Sequence, residues 1–346
     1  MQTPPQQNKI VFLGIGAIGG STGAWVTAHH PNTYLLGRGE SAEVIRAHGI
    51  TTYRGENPDR KEQVRVNLIS DLDEVPDADV VVLAVKLFNL EEVAQFVKEN
   101  LDDRPFIVGM QNGVDSQKIL PRYFSKVVYC LVTYNAWVEA PGVIGYQTRG
   151  PLTLGTPDNS LLEEMKTLAA IFNPAVKTEI TLHLEDAAHT KLVINLGNSL
   201  TTLIARPDPR DRTGLSLYQK ILANTLYEGI QVVQAAGFHE ERLGNIPSWA
   251  TIRALTKLPQ WITLPIFRRN LEKLALSSMG QDVLQRRRPD NELEYLNGYL
   301  LSLAERCQVA APYNRVIYRL SKELFSQPDF EPLPVREVWE EIEKES

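Results

Sequence analysis

Three glycines near the N-terminus have the spacing of a turn that holds phosphate groups. They follow the apolar segment 10–13 and precede a segment with helical character. A strand, a G-x-G-x-x-G turn and a helix form the phosphate-binding element of dinucleotide folds, in which the three glycines allow the turn, the ligand and the helix to approach one another. The residues that we expect at the dinucleotide are Gly14, Ile15, Gly16, Ala17, Ile18 and Gly19.

The next predicted strand indicates which dinucleotide is bound. Residues 33–36 are followed by Gly37 and Arg38, where NAD-specific proteins place an Asp or Glu for the ribose hydroxyls. A guanidinium suits a 2′-phosphate instead, so Arg38 favours NADPH over NADH. Glu40 weakens this preference. The plainer alternatives are a solvated loop cation at Arg38 and a purely structural glycine turn.

A polar stripe on an otherwise apolar helix is the second feature that could do chemistry. In the helix predicted over 185–205, Lys191, Asn195 and Asn198 fall within a stripe of about 60°, with Ser199 at its edge. Because a buried ammonium without a partner is costly, the stripe must face a polar surface. We expect a cleft between two domains, where a desolvated lysine becomes a usable proton donor. The alternative is that the stripe faces solvent or an acidic partner.

Length and composition exclude several classes of protein. The chain has 346 residues and a net charge of −6 with both signs mixed, so we expect two domains and no nucleic-acid partner. The sequence predicts neither a membrane span nor a secretory signal, and the expected location is the cytoplasm. Two distant cysteines predict reduced thiols, and the histidine spacing predicts no metal.

Hydrophobic periodicity divides the chain into two halves. Alternating strands and helices predict an α/β fold, with a doubly wound Rossmann-type domain over 1–182. Helical periodicity predicts an all-α domain over 183–346. The strands expected after the first two are 79–85, 106–110, 126–133 and a hairpin of 143–147 with 152–155. The expected helices of the second half are 185–205, 215–236, 271–285 and 292–307, with short or broken helices over 246–270 and a peripheral helix within 327–346.

Taken together, these motifs resemble those of the ketopantoate reductase family, part of the 6-phosphogluconate dehydrogenase-like group. The resemblance covers most of the chain and thins at 205–265 and beyond 325. Besides the glycine turn, the matching motifs are Val85-Lys86, Gln111-Asn112-Gly113, Lys191-x-x-x-Asn195, Ser277-Ser278-Met279-x-Gln281-Asp282 and Glu292-x-Glu294-Tyr295-x-Asn297-Gly298.

The resemblance implies an NADPH-dependent reductase of a small 2-oxo acid, 2-dehydropantoate, in pantothenate biosynthesis. It implies cofactor contacts from Lys86 and Asn112, catalytic roles for Lys191 and Glu292, and substrate contacts from Asn195 and Ser278. Plainer interpretations are a surface lysine at 86, a turn asparagine at 112, a helix N-terminal acid at 292 and a core hydroxyl at 278. A homodimer through the helical half is expected from fold analogy alone.

Two departures from the family pattern leave the substrate open. The family usually carries a second asparagine eight residues after its lysine, where this chain has Ser199, with Asn198 one residue earlier. We therefore take both as substrate-binding candidates. The segment between Ser278 and Glu292 is longer than usual and contains Arg286–Arg288. A reductase of a different small 2-oxo acid and a non-catalytic NADP-binding redox sensor remain alternatives.

Overall fold

The structure is a computed structural model that describes residues 7–271 and 277–345. The chain divides into a unit spanning Met1–Glu185 and a unit spanning Asp186–Ser346. The first contains both sheets, and the second is largely helical, which confirms the predicted fold class. Within the described ranges, no helix is long and apolar enough to cross a membrane.

The first unit is built on two sheets. The larger has the order β12-β11-β8-β7-β6-β1-β2-β5, and its neighbours run parallel except for β11 beside β8. Because β1 lies between β6 and β2, the crossovers diverge at this point, and ligands of such sheets bind at the adjoining carboxyl ends. The strands are β1 (Ile10–Leu13), β2 (Thr33–Leu36), β3 (Ile50–Arg54), β4 (Asn57–Val64), β5 (Asn67–Ile69), β6 (Val80–Leu83), β7 (Phe106–Gly109), β8 (Val127–Val132), β9 (Ala136–Ala140), β10 (Val143–Tyr146), β11 (Leu152–Gly155) and β12 (Thr178–Ile180).

The predicted hairpin of 143–147 with 152–155 is wrong. β10 pairs with β9 and β3 in the smaller sheet, whose order is β4-β3-β10-β9, whereas β11 joins the larger sheet beside β8. Gly142, with a φ of 73°, makes a tight turn between β9 and β10. Both edges of β10 are therefore occupied by β9 and β3, and the chain continues to the other sheet.

The helices of the first unit are α1 (Ala17–Thr27), α2 (Glu40–His48), α3 (Leu90–Leu101), α4 (Ser116–Ile119) and α5 (Leu162–Phe172). Aromatic side chains hold α1 against the smaller sheet. The Trp25 ring lies 5.5 Å from that of Tyr134 and 5.0 Å from that of Tyr146, and its Nε1 donates to Thr52 Oγ1 at 3.2 Å. The Tyr134 hydroxyl lies 2.6 Å from Thr22 Oγ1, and burial raises the pKa of Tyr134 to about 12. The helix that follows the glycine turn is thus fixed along its length.

The second unit is built around the helix α6 (Leu184–Leu203). None of the residues of α6 is exposed. Five of its large apolar side chains are completely buried: Leu192, Val193, Leu196, Leu200 and Leu203. The helices of this unit are α6 (Leu184–Leu203), α7 (Arg212–Ala235), α8 (Trp249–Lys257), α9 (Gln260–Leu271), α10 (Ser278–Gly280, continued as a π-helix over Gln281–Gln285), a second π-helix (Glu294–Gly298), α11 (Tyr299–Cys307), α12 (Pro312–Leu324) and α13 (Val335–Glu345).

The predicted helices of the second half are found with changes at their ends. Residues 272–276 of the helix expected over 271–285 lie outside the described residues. The segment expected to hold short or broken helices contains two helices of 9 and 12 residues, and α9 continues through Pro265. The tail forms α13, whose apolar side chains Val338 and Ile342 are buried in the unit. This helix is part of the core rather than a peripheral addition.

Candidate functional site

The three glycines of the turn differ in what surrounds them. Gly14 has a φ of 94°, and a Cβ there would lie 2.7 Å from the carbonyl carbon of Ala84. A Cβ on Gly19 would lie 2.1 Å from the oxygen of Gly14. A Cβ on Gly16 would meet no described atom within 4 Å. Gly16 directly precedes the first turn of α1, and no described side chain caps this end of the helix. Packing therefore requires two of the glycines, and the space beside Gly16 fits a phosphate at a helix N-terminus.

The ends of β1, β6 and β7 bring other predicted cofactor residues to this turn. Lys86 follows β6 three residues after Leu83, and Asn112 follows β7. The intervening side chain, Gln111, ties the two strand ends together, because its Nε2 donates to the carbonyls of Leu83 at 2.7 Å and Val85 at 3.2 Å. Lys86 and Asn112 are both half-buried. The glycine turn, Lys86 and Asn112 thus lie along one edge of one sheet.

Arg38 is exposed but anchored. Its Nε donates to the carbonyl of Ser70 at 3.0 Å, and its Nη2 forms an ion pair with Asp71 Oδ2 at 3.0 Å. Its guanidinium carbon lies 5.2 Å from the centre of the Phe96 ring. The side chain is 59% exposed, so a ligand at the end of β2 can still reach it. Sequence reasoning missed Asp71, since the pairing of β2 with β5 was not predicted.

In the second unit, α6 presents the predicted polar stripe. Lys191 is 6% exposed, while Asn195 and Asn198 are half-buried. The neighbours Leu192 and Val193 are completely buried in the core. The ammonium is therefore held on a rigid helix, in surroundings where charge interactions are stronger than in bulk water.

Ser199 and Asn198 have different surroundings. The Ser199 side chain is completely buried, and its hydroxyl donates to the carbonyl of Leu196 at 3.0 Å within its own helix. The Asn198 side chain is half-buried, and its backbone carbonyl accepts from Thr202 Oγ1 at 2.7 Å. Asn198 and Ser199 are the two candidates for the position of the family's second asparagine. Of these two residues, Asn198 has the side chain that a ligand can reach.

Contacts within the second unit bring the serine motif to α6. Ser277 caps α10 by accepting from the Gly280 amide at 3.1 Å, and its hydroxyl also donates to the Asn198 carbonyl at 3.4 Å. Ser278, the next residue, is half-buried at the first position of α10. Met279 shares one apolar cluster with Leu192, beside Lys191. Residues about 80 apart in sequence are thus neighbours in space.

The two glutamates of the C-terminal motif differ sharply. Glu292 is 4% exposed, and the adjacent Leu293 belongs to the same apolar cluster as Leu192. Glu294 lies at the surface, where it accepts from the Tyr318 hydroxyl at 2.6 Å and pairs with Lys322 at 2.8 Å. Burial raises the pKa of Glu294, but its bonds to Lys322 and Tyr318 outweigh that effect and leave the pKa lowered. Glu292 is therefore the glutamate whose position suits a role inside the unit.

Each of the two C-terminal motifs overlaps a π-helix, which sequence reasoning missed. The first runs over Gln281–Gln285 and the second over Glu294–Gly298. π-Helices are rare and frequently occur at functional sites. The second carries Asn297, whose side-chain amide is completely buried and makes no hydrogen bond among the described residues. The polar and acidic residues of these motifs indicated a functional segment. The wider turn of a π-helix, however, has no signature in a single sequence.

The arginine cluster between the motifs has a structural role. Arg286 pairs with the buried Asp282 at 2.9 Å. Arg287 donates to the carbonyl of Phe330 and pairs with Glu331 at 3.0 Å. The Arg287 bonds attach the segment before Glu292 to the chain preceding α13, and the Arg286 bond lies within that segment. Among the residues that the structure describes, no group of three or more His, Cys, Asp or Glu side chains could hold a metal ion.

Two family descriptions match the chain in succession. The family model of ketopantoate reductase PanE/ApbA matches residues 10–159. The family model of the ketopantoate reductase PanE/ApbA C terminus matches residues 183–325. The chain belongs to the ketopantoate reductase family. It is therefore an oxidoreductase of the class that acts on CH–OH groups.

Named relatives extend over nearly the whole chain. A 2-dehydropantoate 2-reductase of Archaeoglobus fulgidus is 23% identical over 313 residues, which are 90% of this chain and 96% of the relative. A structure of 2-dehydropantoate 2-reductase from Geobacter metallireducens has a TM-score of 0.74 at 19% identity and covers 91% of this chain and 99% of that one. D-mandelate dehydrogenase with NADH and anilino(oxo)acetate has a TM-score of 0.73 at 18% identity, covering 93% and 100%. These structures share the fold of this chain.

Proposed function

We propose that this protein reduces the keto group of a small 2-oxo acid to a hydroxyl group, with NADPH as the cofactor and 2-dehydropantoate as the substrate. The observation that carries the proposal is the glycine turn, in which packing requires Gly14 and Gly19 but leaves open space beside Gly16. Family membership supplies the reaction class. The names of the relatives support the substrate and a step in pantothenate biosynthesis.

The residues of the first unit fit a nicotinamide dinucleotide. The free amides at the start of α1 would bind the pyrophosphate beside Gly16, and Arg38 would bind the 2′-phosphate. Lys86 and Asn112 would contact the part of the cofactor that reaches the ends of β6 and β7. When bound, the cofactor supplies a hydride for the carbonyl carbon of the substrate.

Lys191 is the proposed general acid. A carbonyl carbon that receives a hydride leaves negative charge on its oxygen, and an ammonium at hydrogen-bond distance stabilises that charge and donates the proton. Its 6% exposure limits competition from water. The carboxylate of Glu292, also buried, would orient the substrate hydroxyl.

Polar side chains near Lys191 would hold the substrate. Asn195 lies one helical turn after Lys191 and would bind the oxygen beside the reacting carbon. Asn198 and Ser278, which the Ser277–Asn198 bond brings together, would bind the carboxylate. Fixing both ends of the substrate is the positioning that accounts for much of the acceleration in such reactions.

A panel of 2-oxo acids, each tested with NADPH and with NADH, examines the proposal directly. Loss of nicotinamide absorbance should be fastest with 2-dehydropantoate and NADPH. Faster reduction of another 2-oxo acid, such as an aryl-substituted one, would keep the reaction but change the substrate. If NADPH binds tightly and no 2-oxo acid is reduced, the proposed reaction is wrong and a redox sensor becomes the better interpretation.

A further inference from the structure

Arg38 and Asp71 meet because two parallel strands place them side by side. β2 pairs with β5 so that Leu36 lies opposite Ile69, and the Gly37 amide extends the ladder by donating to the Ile69 carbonyl at 3.0 Å. Arg38 is two residues beyond Leu36, and Asp71 is two residues beyond Ile69. The ion pair between them is therefore set by the backbone of the sheet rather than by a chance contact of two surface chains.

The bonds of Arg38 leave one edge of its guanidinium available. Nε donates to the Ser70 carbonyl and Nη2 to Asp71, each at 3.0 Å, while the Phe96 ring lies 5.2 Å from the guanidinium carbon. A guanidinium has five N–H donors, so the Nη1 edge keeps donors for a further acceptor. The side chain is thus oriented before any ligand arrives, which lowers the entropy cost of binding.

The charge of Asp71 acts against one ligand only. Its carboxylate is 44% exposed and lies 3.0 Å from the cation that would meet a 2′-phosphate. A phosphate with nearly two negative charges that binds this cation is repelled by the carboxylate beside it, and part of the attraction of Arg38 is cancelled. NADH has a neutral 2′-hydroxyl in place of the phosphate, so the charge of Asp71 does not repel it.

We propose that Asp71 limits the preference for NADPH over NADH that Arg38 creates. It is a positioning residue that holds Arg38 through a hydrogen bond, and its negative charge limits the affinity of the site for a 2′-phosphate. A second guanidinium, Arg46, donates to Ser70 Oγ at 3.0 Å, and the Glu74 carboxylate accepts from the Ser70 and Asp71 amides at 2.6 and 3.1 Å, so this corner carries charges of both signs. The proposal rests on the proposed function in one respect, the binding of the adenosine ribose near Arg38.

Asp71→Asn separates the two effects of the side chain. Asp71 Oδ1 accepts from the Leu72 amide at 2.7 Å and so caps the short helical turn that follows β5. Asparagine is an equally good capping residue whose oxygen can keep the bond from the Leu72 amide, while Arg38 keeps its bond to the Ser70 carbonyl. The substitution therefore removes the charge while the local fold is kept. The matched control is Asp77→Asn, which removes an exposed carboxylate paired with Lys9. Lys9 directly precedes β1, so this pair lies at the amino ends of the strands, whereas Arg38 follows the carboxyl end of β2.

Dissociation constants of NADPH and NADH for the wild-type chain and both variants, measured by nucleotide fluorescence at low and high salt, test the proposal. Asp71→Asn should tighten NADPH binding on the order of 5-fold and change NADH binding by less than about 2-fold. The gain should shrink as salt screens the charges. Asp77→Asn should leave both constants unchanged. In an Arg38→Ala background, Asp71→Asn should still shift the ratio of the two dissociation constants towards NADPH, because a carboxylate repels a 2′-phosphate with or without the guanidinium.

Two outcomes overturn the proposal. If Asp71→Asn leaves the NADPH-to-NADH ratio at the wild-type value, the charge of Asp71 plays no part in selection. If it weakens NADPH while unfolding midpoints match the wild type, Asp71 only positions Arg38 and does not limit phosphate binding. If the wild-type chain binds neither nucleotide, the proposed function itself fails, which the wild-type titration shows independently of any variant.

Discussion

The glycine turn of the first unit would bind its ligand through the backbone, whereas the candidate site of the second unit is made of side chains. At the glycine turn, Gly14 and Gly19 are enclosed by main-chain atoms of Ala84, Val85 and Gly14 itself. On α6, Lys191 and Asn195 project from a helix whose fold would form with many other residue types at these positions. Packing therefore determines which residue types the glycine turn can have, whereas on α6 the residue types are determined by the reaction they would serve. Substitutions should separate stability from function in the second unit more cleanly than in the first.

The largest effect is expected where packing and binding coincide, at Gly19. A Cβ 2.1 Å from the Gly14 oxygen forces the turn to move, so Gly19→Ala should cost about 1–3 kcal/mol of stability and abolish dinucleotide binding. Urea unfolding and nucleotide titration measure the two losses.

Gly16→Ala is the matched comparison, since its Cβ meets no described atom within 4 Å. It should cost less than about 1 kcal/mol of stability and weaken nucleotide binding at least about tenfold. Equal losses of stability at Gly16 and Gly19 would contradict the distinction between a packing glycine and a ligand glycine.

A smaller effect is expected on α6, where Asn198 and Ser199 are adjacent but differ in access. Asn198→Ala should raise the KM of the 2-oxo acid about tenfold, because one hydrogen bond to a charged group is lost. Ser199→Ala removes a bond to Leu196 within the helix and should change kcat/KM by less than about 2-fold. Steady-state kinetics of both variants checks this, and a larger effect at Ser199 would reverse the assignment.

The smallest effect is expected at Glu294, which is a surface residue of the same motif as Glu292. The pKa of Glu294 lies below its ordinary value of 4.5, because bonds to Lys322 and Tyr318 outweigh its partial burial. A lowered pKa means stability that is present at neutral pH and lost as the pH falls below 4.5. Glu294→Gln should therefore cost less than about 1 kcal/mol at pH 7 and nothing in acid, with turnover unchanged. Urea unfolding midpoints of the wild type and the variant, at pH 7 and at a pH below 4.5, measure the loss of stability. An equal loss at the two pH values would show that the charge of Glu294 is not involved.

The sequence predicts the first unit's turn well because the glycine spacing encodes backbone geometry directly. Gly14, Gly16 and Gly19 identify a strand end, an open space and a helix contact without knowledge of any distant residue. The buried helix of the second unit is also predictable, since Leu192, Leu196 and Leu200 repeat at the helical period.

Features that depend on long-range pairing were not predictable. β10 contains the same residue types whether it pairs with β11 or with β9 and β3, and its pairing with β3 joins segments far apart in the sequence. Asp71 meets Arg38 through the pairing of β2 with β5, which a single sequence does not specify. Ser277 contacts Asn198 across 79 positions for the same reason. Family resemblance supplied the roles of the serine and glutamate motifs, which periodicity alone would have assigned to the core.

The most direct measurement compares turnover with nucleotide binding in Lys191→Ala. The account predicts that kcat/KM for the 2-oxo acid falls by about 10²–10⁴-fold, because the proton donor is removed, while the dissociation constant of NADPH stays within about 3-fold of the wild-type value. A variant that binds NADPH normally and turns over at nearly the wild-type rate would contradict the account.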